Sequence, residues 1–432
     1  MTFMQPSLSL DFTTAVLDPR ITFARTGATA TRINSSGYIE SVAADTARFD
    51  FNPVSLACRG LLVEEQRQNL VKYSSDFATA VAGMWVRSSV TTTTGQLGPD
   101  NTNSATKFVQ NNNTSAVVVT DSSNFQTFTS GATVTFSIYA KYDNSRWLFL
   151  QLGPSSGAST SRLRGWFDLQ SGVAGSAGVA GAATGATVRI EPAANGFYRC
   201  ILTGALNDGI TSGRPLFLMA DADGSTNRAA TGAAYIVYGS QWENADSATS
   251  YIPNVDATQN TRNADVATIT GTNFSNWWQA TRGGVLVRAR PGTVSGFRPW
   301  VQFDDGTANE IISLRGNTTS PELYIVDGGT PQAQIDAGTI AANTDYSLTG
   351  WWATNDCKAR LDSGAVVTDT SATIPTVTQA RLGSDGTNYL NGHLASISYY
   401  DSFSEQIYTR RVVEAPSSWL EVIDSSISEL TR

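Results

Sequence analysis

One histidine, His393, in a chain of 432 residues limits the chemistry available to this protein. Ser-His-Asp triads, Cys-His pairs and multi-histidine metal centres all need imidazoles at set positions. A lone histidine inside the run Leu390-Asn391-Gly392-His393-Leu394 is expected to be structural or surface-exposed. The three cysteines, Cys58, Cys200 and Cys357, are far apart, odd in number and form no C-x-x-C pair, so buried free thiols are expected. Asp and Glu total 37, which leaves room for a glycoside-cleaving pair of carboxylates. Nothing in the spacing fixes two of them about 5 or about 9 Å apart across a cleft. The small-residue run GSAGVAGAATG lacks both the lysine and the strand-to-helix setting of a phosphate loop.

Binding chemistry is better represented. A sugar ring offers C–H patches to aromatic faces and hydroxyls to planar polar groups. Trp147 beside Arg146 and Asn144, Trp166 beside Arg164 and Asp168, and Trp300 near Gln302 and Asp304 supply that combination. Packing in a core or between subunits is the competing reading for each. Asp221 and Asp223 in Asp-Ala-Asp-Gly, and Asp304 and Asp305 in Asp-Asp-Gly, are oxygen-rich turns able to hold calcium, although neither has a complete ligand string and both also read as solvated turns. No other cofactor is implied. Trp277-Trp278 and Trp351-Trp352 put aromatics on both faces of an extended chain, as in a strand packed between a core and a partner.

These residues are carried by short strands. A chain of this length calls for two or three domains. Its net charge is −8, only 15% of residues are charged, and no Lys/Arg block occurs, which argues against nucleic acid as a partner. The first residues, MTFMQPSLSLDF, lack the basic region and apolar core of a secretory signal, and no run is long enough to span a membrane, so no membrane insertion is expected. The fold class expected is all-β: two tandem antiparallel β-sandwiches of jelly-roll or lectin-like type, with an extended N-terminal arm and a short helical C-terminal tail.

The arm covers residues 1–70, with LSLDF, ITFAR, ATRIN, GYIE and ARFDF between turns. It is too short and polar for its own core, so it should lie on the next domain or on a neighbouring subunit. Burying Phe12, Phe23, Phe49 and Phe51 in a neighbour would make it the assembly device of a homo-oligomer. Residues 71–265 form the first sandwich, with nine strand signals at antiparallel spacing. In TVTFSIYAKY, Val134, Phe136, Ile138 and Ala140 share one face of a half-buried strand. SGVAGSAGVAGAATG, from Ser171 to Gly185, reads as a loop or loose hairpin. The strand YIVYGSQW closes this domain, with Tyr235, Val237 and Gly239 pointing one way and Ile236, Tyr238 and Ser240 the other. Residues 266–403 form the second sandwich. Residues 404–432 form the tail, where Ser404 is a helix N-cap and Pro416 a stop.

Three groups of residues carry a resemblance to known families. Gly239-x-Gln241-x-Glu243, Ala248-Thr249-Ser250-Tyr251-Ile252-Pro253 and Thr261-Arg262-Asn263-Ala264-Asp265 resemble the end of the carbohydrate-binding-module-like jelly rolls of bacteriophage tail and head-fibre proteins. Those relatives usually carry a small residue or Thr where this chain has Asn254. The runs Ser137-Ile138-Tyr139-Ala140-Lys141 and Asn195-Gly196-Phe197-Tyr198-Arg199 resemble the same jelly-roll family. Phe23-Ala24-Arg25, Gly37-Tyr38-Ile39, Ala47-Arg48-Phe49-Asp50, Gly60-Leu61-Leu62-Val63-Glu64-Glu65 and Asn69-Leu70 resemble a phage structural motif that precedes such a jelly roll. Leu382-Gly383 and the run from Leu390 to Asp401 resemble the last strands of concanavalin-A-like, laminin-G-type lectin folds. The resemblance implies a non-enzymatic structural component of a phage virion: a fibre, spike or decoration protein of head or tail. It would display glycan-binding-type domains to the host surface, with itself (as a trimer), other virion proteins and cell-surface glycan as partners. Two alternatives stay open: a tail-associated glycan-degrading enzyme, and an architectural capsid protein without host contact.

Overall fold

In the computed structural model, residues 5–27, 30–78, 85–113, 117–120, 125–154 and 160–401 are described. The tail expected at 404–432 lies outside them. The strands form two antiparallel sandwiches.

In the first sandwich one sheet runs Thr184–Pro192, Phe197–Ala205, Thr133–Tyr142, Ala234–Glu243, Ala105–Gln110, Val90–Gln96. The facing sheet runs Val173–Ala180, Arg162–Asp168, Trp147–Pro154, Ser212–Ala220, Val117–Thr120, Trp85–Ser88. Side-chain alternation sends Val134, Phe136, Ile138 and Ala140 into the core between them, where they meet Leu148, Leu150, Phe217 and Trp242. The opposite face of Thr133–Tyr142 is expected to be solvated, yet Thr135, Ser137 and Tyr139 are also buried. The segment leaving this sandwich folds back over them: Thr135 Oγ1 donates to Ala245 O at 2.8 Å, and Tyr139 meets the ring of Tyr251 edge-on.

The closing strand keeps its alternation only as far as Gly239. A bulge there, at φ +45°, shifts the register, so Tyr235, Val237 and Trp242 all enter the core although their positions differ in parity. The Tyr251 ring lies against Gly239, where a Cβ would sit 2.9 Å from Tyr251 Cζ; only glycine fits both the conformation and the contact. The low-complexity run is not a loop. Val173–Ala180 is a strand paired with Arg162–Asp168, because its small residues let it lie close under Trp147 and Trp166.

The second sandwich differs from expectation in its membership. One sheet runs Val367–Asp369, Asp356–Leu361, Tyr346–Ala353, Arg282–Arg290, Gly392–Tyr400, Cys58–Val63, Arg48–Phe51, and Leu8–Asp11 also pairs with Gly392–Tyr400. The facing sheet runs Thr22–Ala24, Val266–Thr270, Gln379–Leu382, Phe297–Asp304, Ile311–Asn317, Ser320–Asp327, Thr330–Asp336. The N-terminal segment is therefore extended, and it completes the C-terminal sandwich of its own chain. Phe12 and Phe49 are buried in that core, and Phe23 and Phe51 pack against it. This corrects the expectation that these four rings need a neighbouring subunit: Gly392–Tyr400 and Val266–Thr270 would otherwise be open edges, and the arm supplies their missing ladders. In chain order, the first sandwich is an insertion into the second. Its entry and exit pair directly, Gln68 with Thr261 and Arg67 with Arg262.

The tryptophan pairs are interior. Trp351 and Trp352 are both buried, and Trp277 and Trp278 follow the short helix Thr272–Ser275 rather than forming a strand. Phe274, Trp277, Trp278, Phe303, Trp352 and Tyr399 make one aromatic box with ring centroids 4.8–6.5 Å apart, each pair adding about 0.5–1.5 kcal/mol beyond area burial. Among the described residues no helix is long and apolar enough to cross a membrane.

Candidate functional site

The chain crosses between sandwiches twice, and unpaired backbone at both crossings is satisfied by amide side chains. Asn69 is fully buried: its Nδ2 donates to Ser240 O and Ile252 O at 2.9 and 2.8 Å, while its Oδ1 accepts from Val71 and Trp242. Asn254, also fully buried, donates to Asn69 O and Val71 O at 2.8 and 2.7 Å and accepts from the amide of Asn260. A residue with a shorter side chain or no amide could not reach all three groups. Gln241 and Glu243 do the same for the return segment, Gln241 accepting from Ile252 N at 2.7 Å and Glu243 from Thr249.

Beneath these amides lies a buried ion cluster. Three guanidiniums, Arg25, Arg48 and Arg262, face two carboxylates, Glu64 and Asp265, all at most 6% exposed at the side chain. Asp265 pairs with Arg25 at 3.2 Å and with Arg48, and also accepts from Glu64 N at 2.9 Å. Glu64 pairs with Arg48 at 2.8 Å and Arg262 at 3.2 Å, and accepts from the amide and hydroxyl of Ser250 at 2.7 Å each. Burial alone would push the Glu64 carboxyl up; the charges of Arg262 and Arg48 and the Ser250 hydrogen bonds outweigh it and hold the carboxyl well below its usual range. Burial likewise pulls Arg25 and Arg262 down, whereas Arg48, between both carboxylates, is raised. This cluster is buried, with Glu64 at the floor of the cleft above it, and it ties the insertion to its host sandwich.

Above the cluster opens a cleft of about 380 Å³. The arm contributes Arg32, Asp50 and Arg59; the first sandwich Tyr139, Arg189, Glu191 and Arg199; the second Arg290, Asn391 and His393. His393 Nε2 lies 2.9 Å from Asp50 Oδ2, and Asp50 also accepts from Ile33 N at 2.6 Å. Arg59 is 3.9 Å from Asp50, with its side chain 30% exposed. Arg32 pairs with Glu40, Arg189 with Glu191 and Arg290 with Asp345. Arg199 differs. It is 7% exposed and lies 5.4 Å from the centroid of the Tyr139 ring. It donates to Ser137 Oγ at 3.2 and 3.0 Å and to Thr249 O at 2.7 Å, and among the described residues it has no carboxylate at ion-pair distance.

The residues singled out by sequence do not converge here. Trp147 and Trp166 sit together on the outer face of the first sandwich with Phe149 and Leu218. Trp166 is 4% exposed and donates to Ser225 O at 2.6 Å, so a loop already covers its face. Arg146 stacks on Trp147 and donates to Asp168 at 2.8 and 2.7 Å; despite the cost of its burial, Asp168 is held at about 2 by Arg146 and by Ser171. Asn144 bonds the backbone of Gly232 and Ala234. Trp300 is fully buried in the second core, and a bulge beside it turns Gln302 to the opposite face. There Gln302, Gln379 and Arg381 all donate to Asp304. Asp305 accepts from Thr307, and Asp223 accepts from the amide and hydroxyl of Ser176, pinning the loop to the small-residue strand. Asp221 is exposed in the same turn. Among the described residues no group of three or more His, Cys, Asp or Glu is placed to hold a metal ion. Burial raises Cys200 and holds Cys357 at about 12, so both stay thiols at neutral pH.

The cleft residues had a partial signal in the sequence. Asp50, Glu64, Arg199, Ser250 and His393 fall inside the runs that carry the resemblance, whereas Arg59, Arg189 and Arg290 are scattered arginines that only the tertiary fold collects.

No protein-family model matches the chain, and no curated protein matches it in sequence. Among solved structures it is similar to the K499G mutant of NanB sialidase from Streptococcus pneumoniae, at 13% identity and TM-score 0.29 over 33% of this chain and 26% of that one. The chain thus spans about a quarter of that sialidase. It is also similar to the CBM40 of Ruminococcus gnavus IT-sialidase, solved with α2,3-sialyllactose, at 11% identity and TM-score 0.26 over 30% of this chain and 80% of that one. Mouse laminin α1 domains LG4-5 are similar at 9% identity and TM-score 0.23 over 74% of this chain and 90% of that one. Likenesses at this level carry no argument about ligand or activity.

Proposed function

We propose that this chain is a non-enzymatic structural subunit of a bacteriophage virion, a fibre, spike or decoration protein, whose sandwiches are displayed for adhesion to host-surface glycan. The observation that carries the reading is the junction. The runs that resemble phage structural proteins, around Arg25, Arg48, Glu64, Asn69, Glu243, Tyr251 and Asp265, are the ones that bond the insertion to its host sandwich. A displayed adhesin must carry load between its domains, and a buried ion cluster crossing the junction does that without a covalent link. The cleft beside it offers guanidiniums, carboxylates and amides, the polar groups that saccharides require. Any oligomer forms through surfaces other than Phe12 and Phe49, which the chain buries itself.

The test has two parts. Antibody raised against the purified chain is expected to decorate intact virions from the source lysate; unlabelled particles would sink the virion assignment. Fluorescent protein incubated with host surface polysaccharide is expected to be retained without release of new reducing ends. Steady release of reducing ends would favour the glycan-degrading alternative.

A further inference from the structure

The 380 Å³ cleft does not stand alone. A second cavity of about 540 Å³ shares Arg189, Ala248, Gly292 and Asn343 with it, so the two adjoin along one groove-like seam between the sandwiches. Its character changes along its length. At the first end lie Arg32, Arg59, Arg199 and Arg290 with the carboxylates of Asp50, Glu64 and Glu191; the second is lined mainly by hydroxyl groups, Thr187, Thr203, Ser247, Thr293, Ser295 and Thr318, with one carboxylate, Asp246, and no guanidinium beyond the shared Arg189.

One wall is the strand Thr184–Pro192. It is the edge of its sheet, paired only with Phe197–Ala205 among the described residues. Its consecutive residues Thr187 to Pro192 all line the groove, roughly 17 Å of wall at about 3.3 Å per residue. An edge strand leaves alternate backbone N–H and C=O groups free to bond a ligand along that length. The built element is at the cationic end. Arg199 is more than nine-tenths buried, its fork is fixed by Ser137 and Thr249 rather than by a carboxylate, and the Tyr139 ring lies beside it. Arg59 reaches Asp50 only at 3.9 Å. Guanidinium forks match planar carboxylates, and a buried one whose nearby carboxylates, Glu64, Glu191 and Glu243, stay beyond ion-pair distance gains from an anion that arrives with the ligand.

We infer that the groove binds an extended acidic oligosaccharide, with a sugar carboxylate at the Arg59 and Arg199 end and neutral units along the Thr and Ser end. This rests on the glycan-adhesion reading above and adds to it the place, the charge and the length of the ligand. A monosaccharide would leave the hydroxyl-lined half empty, and a neutral glycan would leave the Arg199 fork without a carboxylate at ion-pair distance.

The test uses the full chain and a panel of carboxylated oligosaccharides, galacturonate, mannuronate, glucuronate-containing and sialylated, each beside its carboxyl-reduced counterpart. At least one acidic member is expected to bind tenfold or more tightly than its reduced form, and longer oligomers more tightly than monomers. Two variants locate the site. Arg59→Ala with Arg189→Ala removes charge from half-exposed positions, and Ala248→Trp plugs the waist shared by the two cavities; melting temperature checks that each is folded. Tenfold or greater loss in both supports the groove. If the wild-type chain binds glycan but both folded variants bind equally well, or reduced glycans bind as well as acidic ones, the groove assignment is overturned while the adhesion reading stands. If neither the panel nor host polysaccharide binds the wild-type chain at all, the adhesion reading itself fails.

Discussion

The buried cluster and the cleft above it are built from the same residue types a few ångströms apart, and they do opposite things. In the cluster, Arg25, Arg48 and Arg262 are at most 1% exposed at the side chain and their carboxylates at most 6%. In the cleft, Arg32, Arg59, Arg189 and Arg290 are 28–34% exposed at the side chain. Desolvation makes the difference. A charge pair without water interacts strongly, and losing one partner strands the other; a pair that still sees water exchanges partners at little cost. The junction is therefore held by the first set, and the second remains available to a ligand.

The comparison breaks most sharply at Asp265. Asp265→Ala leaves Arg25 and Arg48 buried against one remaining carboxylate, and is expected to cost about 3–5 kcal/mol in chemical denaturation, against under about 1 kcal/mol for Arg59→Ala. Equal costs would mean the cluster is wetter than its burial indicates. Next is Asn254→Ala, which strands Asn69 O, Val71 O and Asn260 N inside the protein. About 1–3 kcal/mol in all is expected, because water can enter the space the side chain leaves and meet part of the stranded groups, and the loss should appear as earlier hydrogen exchange at both crossing segments. A native m-value with unchanged stability would show that the amides are dispensable.

Acid sharpens the same contrast. The folded-state pKa of Glu64 is depressed, so its stabilising contribution is complete above the ordinary value of 4.5 and is lost as the pH falls through the folded value. The wild type should lose stability on going below about pH 5, and Glu64→Gln, already weakened at neutral pH, should lose less over that interval. A variant whose acid titration parallels the wild type would remove Glu64 from the account. The smallest effect is expected at His393→Gln, which keeps a polar partner for Asp50 at the cleft: a change of melting temperature within error. A large loss there would move His393 from the exchangeable set to the structural one.

Much of the architecture was legible. Strand alternation and the positions of turns follow from local sterics and hydropathy, so the antiparallel strands of the sandwiches could be read from runs such as TVTFSIYAKY and their spacing, whereas the small-residue run read as a loop or loose hairpin supplies the strand Val173–Ala180. Single-residue faults in that reading have local causes: the bulge at Gly239 inverts the parity of Trp242, and the bulge beside Trp300 sends it into the core while Gln302 faces away. The assignment of the first 70 residues went astray for a different reason. Strands too short to bury a core give no sign of which sheet will complete them, and here their partner, Gly392–Tyr400, is more than 300 residues away. The tryptophans divide for a similar reason: an aromatic beside an arginine reads alike whether it is buried, as Trp166 and Trp300 are, or half-buried beside exposed Arg146, as Trp147 is.

By itself, then, the sequence determined the class of fold, the strands, the absence of a histidine-based constellation and the fixed-order runs in which Arg48, Glu64, Ser250 and Asp265 stand. Only the tertiary structure decided that those runs meet, that the first sandwich is inserted into the second, and that scattered arginines share a groove. Local preferences act over a few residues, whereas burial and charge pairing depend on which distant segments exclude water from one another, and that is fixed only when the whole chain has closed.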